Sequence, residues 1–467
     1  MMTLNFSTKI TSHALIGIMS DLDQLEFTGV IFFIFVFLLI AGIIGAVIIL
    51  TSDKGSDAKG SDFKKDPEYI KQIQFLSSRF REVMGSSTDK NISNPTAKIP
   101  IEDLVSDPAI KKNFPPAHQS LINFYALGTR FTGYLGPMDN GYFDPETDVQ
   151  LAVQAGSRVF VLEIDYLEDC LDKERTVYHP QIVVRDIQGK LLINPKTYRP
   201  MCETGQRSSI REVCENINTY AFSSSTENAS DPVILVLYFL RKPKAAYNSK
   251  TVLDYYSSVA KALQPLQKRF VTNEISGGNF YRQQQPEKLL INKITDYNNK
   301  VLVFSNANTN GFREVTYKTE EDLDFIVNLR LMATQTQLGV TEKDTGVIFG
   351  ILQTAEDYTQ IPENQSEDVI NSTKLRWTIC LSANPSIPVT KRIYDKITKT
   401  YGVNCVPIQL FDKNNDFMFT DTTFKTYSFQ PKPEPLRYIK PGVVIPGEVN
   451  PKLVNANQGK LLGPTVG

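Results

Sequence analysis

The chain has 467 residues, with 50 Lys and Arg against 51 Asp and Glu, and a formal net charge of −1. It holds no long basic block, so it lacks the clustered cations that a phosphate backbone demands, which excludes nucleic acid as a partner. Hydrophobic residues make up 41% of the chain, enough for a large core, and five irregularly spaced cysteines exclude a disulfide framework or a paired Cys-x-x-Cys zinc site.

Residues 1–26 form a short N-terminal tail. From Phe27 to Ser52 no charged residue occurs, and Leu, Ile, Val and Phe dominate; a helix needs only about 20 such residues to cross a bilayer core. A buried soluble helix of this length would show a polar face. A cleaved signal would have a shorter apolar region behind a basic stretch, whereas Asp21, Asp23 and Glu26 precede this run. Residues 27–52 are therefore predicted to be a single transmembrane helix, with the lipid bilayer as a partner. Lys54, Lys59, Lys64 and Lys65 follow it, against Lys9 before it, which places the large C-terminal part on the cytoplasmic side of a single-pass protein. Asn-x-Ser/Thr triplets at Asn91, Asn228, Asn364 and Asn371 would permit the opposite side.

Residues 53–100 read as a polar linker with a helix around Glu68–Met84. The compact part is expected over 101–430, where short β-branched runs alternate with amphipathic segments of helix length, the pattern of a parallel sheet covered by helices. Predicted strands are Phe124–Thr129, Arg158–Ile164, Gln181–Val184, Pro232–Phe239, Lys300–Phe304, Leu375–Leu381 and Asn404–Leu410. Predicted helices are Ser208–Ala221, Thr251–Phe270, Glu320–Met332 and Pro388–Tyr401, with Thr251 as an N-cap. The unbroken apolar run Val233–Leu237 implies burial on both faces. With at least seven strands, the fold class is α/β, a TIM-type barrel whose site gathers at the strand C-terminal ends. Trp377 is assigned to the core. From Pro431, repeated Pro, Gly and Asn describe an extended tail over 431–467. Protein partners would meet this tail or the barrel surface. Of the cysteines, Cys202 and Cys214 are the one pair considered for bonding.

Three stretches carry a family likeness. Leu127-Gly128-Thr129-Arg130-Phe131-Thr132 is similar to a Gly-Thr-His-Asn/Asp-Ser strand end, and Gly156-Ser157-Arg158-Val159-Phe160-Val161-Leu162-Glu163-Ile164-Asp165 to a Gly-x-Arg-x-x-x-Leu-Glu-Leu-Asp strand. Tyr220-Ala221-Phe222 followed by Pro232-Val233-Ile234-Leu235 completes the set. Together with Pro286-Glu287-Lys288-Leu289-Leu290 and Lys300-Val301-Leu302-Val303, they resemble the phosphatidylinositol-specific phospholipase C-like phosphodiesterases over roughly residues 120–306. That resemblance implies a distorted TIM barrel. Because divergent, anchored copies are ascribed to large DNA viruses, it also implies the membrane of a virus particle as a location.

The family divides its chemistry between two histidines, a base on the nucleophilic hydroxyl and an acid on the leaving oxygen, roles that suit imidazole. Here Arg130 stands at the first position and Arg185, in Val183-Val184-Arg185-Asp186, at the second. A guanidinium holds its proton at neutral pH and cannot exchange it. The chain has three histidines: His13, His118 and His179. A shift of six residues would make His179, in Val177-Tyr178-His179, the one catalytic candidate. Glu163 and Asp165 fall on one face of their strand, and the resemblance makes them the metal pair of a Ca²⁺-dependent member. Arg130 and Arg185 beside them leave three readings: a salt-bridged plug, a retained Ca²⁺ site, or an anion pocket in which both arginines grip a phosphate. The first function class is thus a membrane-anchored, non-catalytic barrel serving as a structural or interaction protein, with no cofactor. The alternative is a membrane-bound phosphodiesterase acting on phosphatidylinositol or a related diester, with Ca²⁺ if active.

Overall fold

The computed structural model describes residues 62–84, 98–167, 177–193, 208–271, 280–282, 285–333, 348–420 and 424–440. The chain divides into two units, 1–66 and 67–467. Of the first, only a short 3-10 turn at Asp62–Lys65 is described; all that follows concerns the second. The predicted anchor at 27–52 lies outside the described residues, as do Cys202 and residues 441–467. Among the described residues, no helix is long and apolar enough to cross a membrane.

The strands are β1 (Phe124–Ala126), β2 (Gly128–Thr129), β3 (Val159–Tyr166), β4 (Pro180–Ile182), β5 (Val233–Phe239), β6 (Val301–Ser305), β7 (Leu329–Ala333), β8 (Gly350–Thr354), β9 (Trp377–Leu381) and β10 (Phe429–Pro431). Seven pair in parallel in the order β2-β3-β5-β6-β7-β8-β9. The ring is then closed by residues 404–408. Cys405 N donates to Thr378 O at 3.1 Å, Ile408 N to Gly128 O at 2.9 Å and Arg130 N to Ile408 O at 2.8 Å, so this segment bonds to β9 on one side and β2 on the other. The result is a distorted α/β barrel of eight strand positions. Gly128 is dictated by this closure: a Cβ there would meet Cys405 Sγ at 2.8 Å and Val159 Cβ at 2.9 Å.

Strand alternation fills the barrel. Val159 and Val161, Ile234 and Val236, Leu302 and Phe304, Leu329 and Leu331, Trp377 and Ile379 join one buried cluster. In it Phe304 meets Trp377 edge to face at 4.8 Å. The intervening residues, such as Phe160, Leu162, Leu235 and Leu237, are equally buried, under helices that include Pro145–Gln154, Ser209–Ala221 and Lys250–Ala262. The end opposite the strand C-termini is plugged by Phe114, Leu121, Ile122 and Phe124. There Arg158 is fully buried, donating to Ala221 O at 2.7 Å and to Asn228 O and Oδ1 at 2.6 and 2.7 Å. The Gly-x-Arg stretch is therefore a structural clasp. Its Gly156, at φ +93°, has a conformation L side chains avoid, and a Cβ would strike Lys98 Cε at 2.4 Å.

Several expectations are corrected. Gln181–Val184 is not a ring strand: β4 runs antiparallel to β3, with Asp165 opposite Gln181. Glu320–Met332 is not a helix; a single turn, Leu323–Ile326, precedes β7. Its spacing of apolar residues mimics a helix, but Asn328 ends the turn by donating through Nδ2 to Val271 O while its Oδ1 accepts from Val303 N. The N-cap of the next predicted helix is Ser249, whose hydroxyl accepts from Val252 N, not Thr251, and Pro265 converts the last turns to 3-10 geometry. Pro388–Tyr401 begins only at Lys391 and turns π-helical over Lys396–Thr400. Residues 431–440 are not a free tail: β10 pairs antiparallel with β1, and Tyr438 N donates to Asn123 Oδ1 at 2.7 Å. Cys214 is a buried free thiol.

Candidate functional site

Three rim segments converge where β2, β3 and β5 end. Alternation along β3 sends Glu163 and Asp165 toward the barrel axis above Val159 and Val161, and the register sets Glu163 beside Tyr238 of β5. Both carboxylates are almost fully buried, at 1% and 0% exposure. Each is held by guanidinium. Arg130, in the first turn after β2, donates from Nε to Glu163 Oε1 at 2.6 Å and from a terminal nitrogen to Ser382 O at 2.8 Å. It lies 4.6 Å above the ring of Phe131, itself at φ +60°; a bulky residue in that region costs about 1–3 kcal/mol unless the surroundings enforce it. The loop carrying Ser382 is pinned in turn by Glu356, which accepts from the Ser382 hydroxyl at 3.2 Å and from Ala383 N at 3.1 Å.

Asp165 is gripped twice. Arg185 Nε donates to its Oδ2 at 2.7 Å, and Arg241 Nε to Oδ1 and Oδ2 at 2.8 and 3.0 Å. Tyr166 N supplies a further bond to Oδ1 at 2.7 Å. Arg241 also stacks on Tyr166 at 4.5 Å and bonds its carbonyl at 2.9 Å, while Arg185 bonds Gly189 O at 2.7 Å. These groups surround an open cavity of about 540 Å³, lined also by Tyr238, Asp186, Ile187 and Pro385. Burial pushes the Glu163 carboxyl above its usual range, an effect that Arg130 partly offsets. Burial, and to a lesser degree the nearby Glu163, raises the Tyr238 hydroxyl as well.

Arg130, Glu163, Asp165 and Arg185 thus meet at one mouth, as their sequence positions imply. Arg185 arrives from the loop after the antiparallel β4, not from a ring strand. His179 stands apart. It precedes β4 one position beyond the Tyr166–Pro180 pair and does not line the cavity. His118 lies at the opposite end, against Phe114, where burial lowers its pKa. Arg241 went unrecognised in the sequence because one arginine in Leu240-Arg241-Lys242-Pro243 looks like a solvated turn; its place two residues beyond a strand end was the available signal. Among the described residues, no three His, Cys, Asp or Glu side chains cluster in a way that could hold a metal. Glu163 and Asp165 are two hard oxygen donors, and a Ca²⁺ there would have to displace the guanidinium groups now bonded to them.

No protein-family model matches the chain, and no curated protein does. Solved structures do. The chain is similar to L. pealei PLC21 at 13% identity and a TM-score of 0.44, covering 69% of this chain and 38% of that one. Its likeness to S. officinalis PLC21 is 12% identity and a TM-score of 0.45, over 78% and 44%. A calcium-dependent phosphoinositol-specific phospholipase C from Pseudomonas sp. is similar at 10% identity and a TM-score of 0.39, over 70% of this chain and 97% of that one. The chain thus spans less than half the length of either PLC21 and nearly all of the bacterial enzyme.

Proposed function

We propose that this protein is a membrane-anchored barrel of phospholipase C-like design that does not hydrolyse phosphodiesters and acts as an interaction or structural protein. One observation carries the reading. Around the mouth, where acid–base chemistry would need two imidazoles, three guanidinium groups face two buried carboxylates at 2.6–3.0 Å, and among the described residues no histidine lines the cavity. Guanidinium cannot shuttle a proton at neutral pH, and carboxylates already paired this closely are poor bases. The ion pairs act as a plug that fixes β2, β3, β5 and the loop after β9 relative to one another. The test is turnover of phosphatidylinositol and glycerophosphodiesters by the full chain, with and without Ca²⁺; activity above background that vanishes in His179→Ala would overturn the proposal.

The cavity favours one second reading, retention of a phosphate without its cleavage. Three arginines line the cavity with three carboxylates, Glu163, Asp165 and Asp186, burial pushes the Glu163 carboxyl toward its neutral form, and Arg185 and Arg241 could turn their terminal nitrogens to a bidentate anion. Inositol phosphate binding that is unchanged in Arg130→Ala and Arg185→Ala would remove it.

A further inference from the structure

The helix Pro67–Met84 turns one narrow face to the barrel. Tyr69, Leu76 and Arg79 are buried and Gln72 is half-buried, a spacing of three and four residues that puts them on one side. That face grips two loops. Tyr69 donates its hydroxyl to Asp144 Oδ2 at 2.6 Å and packs edge to face on Tyr142, and Gln72 donates to Leu135 O at 2.7 Å, which holds the loop 131–144 after β2. Arg79 holds the loop that follows the closing residues 404–408. Its Nε donates to Asp416 Oδ1 at 2.7 Å, and its two terminal nitrogens donate to Leu410 O and, at 3.0 Å, to Asp412 O. These two carbonyls flank Phe411.

Phe411 is the link to the cavity. Its ring lies 6.3 Å from that of Phe131 and meets Tyr134 edge to face at 5.4 Å. The fit is close, because Gly136, at φ +70°, brings its backbone so near that a Cβ would meet Phe411 Cγ at 2.6 Å. Phe131 needs such a neighbour: a bulky residue at φ +60° keeps that conformation only where its surroundings enforce it. On the Phe131 ring rests the Arg130 guanidinium, 4.6 Å from the centroid, in the orientation that carries its Nε to Glu163 Oε1. A contiguous path of bonds and stacked rings therefore runs from Arg79 through Phe411 and Phe131 to Arg130 and Glu163.

We propose that the helix 67–84 is a clamp on the mouth: docked, it presses Phe411 against Phe131 and keeps Arg130 on Glu163, and undocked, it releases that ion pair and opens the cavity. Arg79 and Phe411 are then positioning residues that act on Glu163 through Arg130. The inference rests on the reading of the pair as a plug, and deepens it by naming what keeps the plug closed. It also gives the buried Arg79 its purpose, since one guanidinium serves two carbonyls and a carboxylate at once, which an ammonium on a flexible stem does less well.

Phe411→Leu is the discriminating variant, because it removes a ring and no charge. Glu163 stands beside Tyr238 and shares the cavity with Arg130, Asp165, Arg185, Asp186 and Arg241; burial raises its pKa and Arg130 lowers it. Loosening Arg130 raises the folded pKa further, so a loss that acts through the pair is small at low pH and grows as pH rises. Urea unfolding of the full chain is measured at pH 5 and pH 7.5 for Phe411→Leu, Arg79→Ala and Arg130→Ala, each with and without Glu163→Gln. In Phe411→Leu the rise in the unfolding equilibrium constant is expected to be larger at pH 7.5 than at pH 5 by about threefold or more, and Glu163→Gln is expected to remove that excess. Arg79→Ala is expected to follow the same pattern and decides by the same criterion should Phe411→Leu not fold, the Glu163→Gln background separating any titration of Asp416. A loss equal at both pH values, or an excess that persists with Glu163→Gln, overturns the clamp, and a pH-dependent loss in Arg130→Ala then leaves the plug standing. An Arg130→Ala loss that is equal at both pH values overturns the plug and the clamp together.

Discussion

Replacing Arg130 by alanine strands Glu163 in a site where it is 1% exposed and has lost its 2.6 Å partner. Removing one member of a buried ion pair costs about 3–5 kcal/mol, because the remaining charge is left without compensation. The carboxyl can escape part of that penalty by taking a proton. Against an ordinary value of 4.5, neutralising it at pH 7.5 costs about 4 kcal/mol, and this ceiling falls by roughly 1.4 kcal/mol for each pH unit. The sign follows from linkage: a carboxyl whose folded pKa lies above its unfolded one gives stability that is complete at low pH and is lost as pH rises. Arg130→Ala should therefore unfold about 4 kcal/mol more easily at pH 7.5. Near pH 5 the deficit should be only about 1–2 kcal/mol, largely the bond to Ser382 O. Adding Glu163→Gln should recover much of the loss and flatten its pH dependence. Urea unfolding of the three proteins at both pH values measures this directly. A deficit under 1 kcal/mol at pH 7.5, or one that does not change between the two pH values, would refute the view that the pair is a buried lock.

Other perturbations probe the scaffold. Lys432 is wholly buried, with one long bond to Thr373 O at 3.4 Å, and burial lowers its pKa to about 7. Because the unfolded chain binds the extra proton, wild-type stability should rise between pH 7 and pH 10, and Lys432→Met should stabilise by a few kcal/mol at pH 7 and by little at pH 10.5, seen as a Tm difference that closes. Asp148 accepts from Gly133 N at 2.7 Å and burial raises its pKa to about 8; its contribution is lost as pH rises from 4 to 8, so Asp148→Asn should remove that slope while keeping the acceptor. Arg158→Lys cannot span Ala221 O and Asn228 together and should cost about 3 kcal/mol or more by chemical denaturation, whereas a loss under 1 kcal/mol would show the clasp to be incidental.

The barrel was legible where burial on both faces leaves an unbroken apolar run. Val233–Phe239 is such a strand throughout, residues 159–162 and 301–304 are such runs within Val159–Tyr166 and Val301–Ser305, and the limits of all three strands fell within two residues of expectation. Where one face is only half covered the signal weakened. The strand Gly350–Thr354 alternates buried and intermediate residues and was missed, and Leu329–Ala333 was absorbed into a helical pattern that its preceding turn imitates. The site was readable in its carboxylates because alternation alone puts Glu163 and Asp165 on one face. Arg130 followed from its place at a strand end. Arg241 did not, since only the folded turn after β5 brings it onto Asp165. His179 shows the converse: a residue of the right chemistry and near the right place in the chain, displaced from the mouth because β4 runs antiparallel to β3.

The account stands most directly on the turnover of phosphatidylinositol in vesicles by the full chain, compared with His179→Ala across a Ca²⁺ titration. It predicts no inositol phosphate released above the protein-free rate at any Ca²⁺ concentration, with the two proteins indistinguishable. Calcium-dependent release by the wild type that His179→Ala abolishes would contradict it.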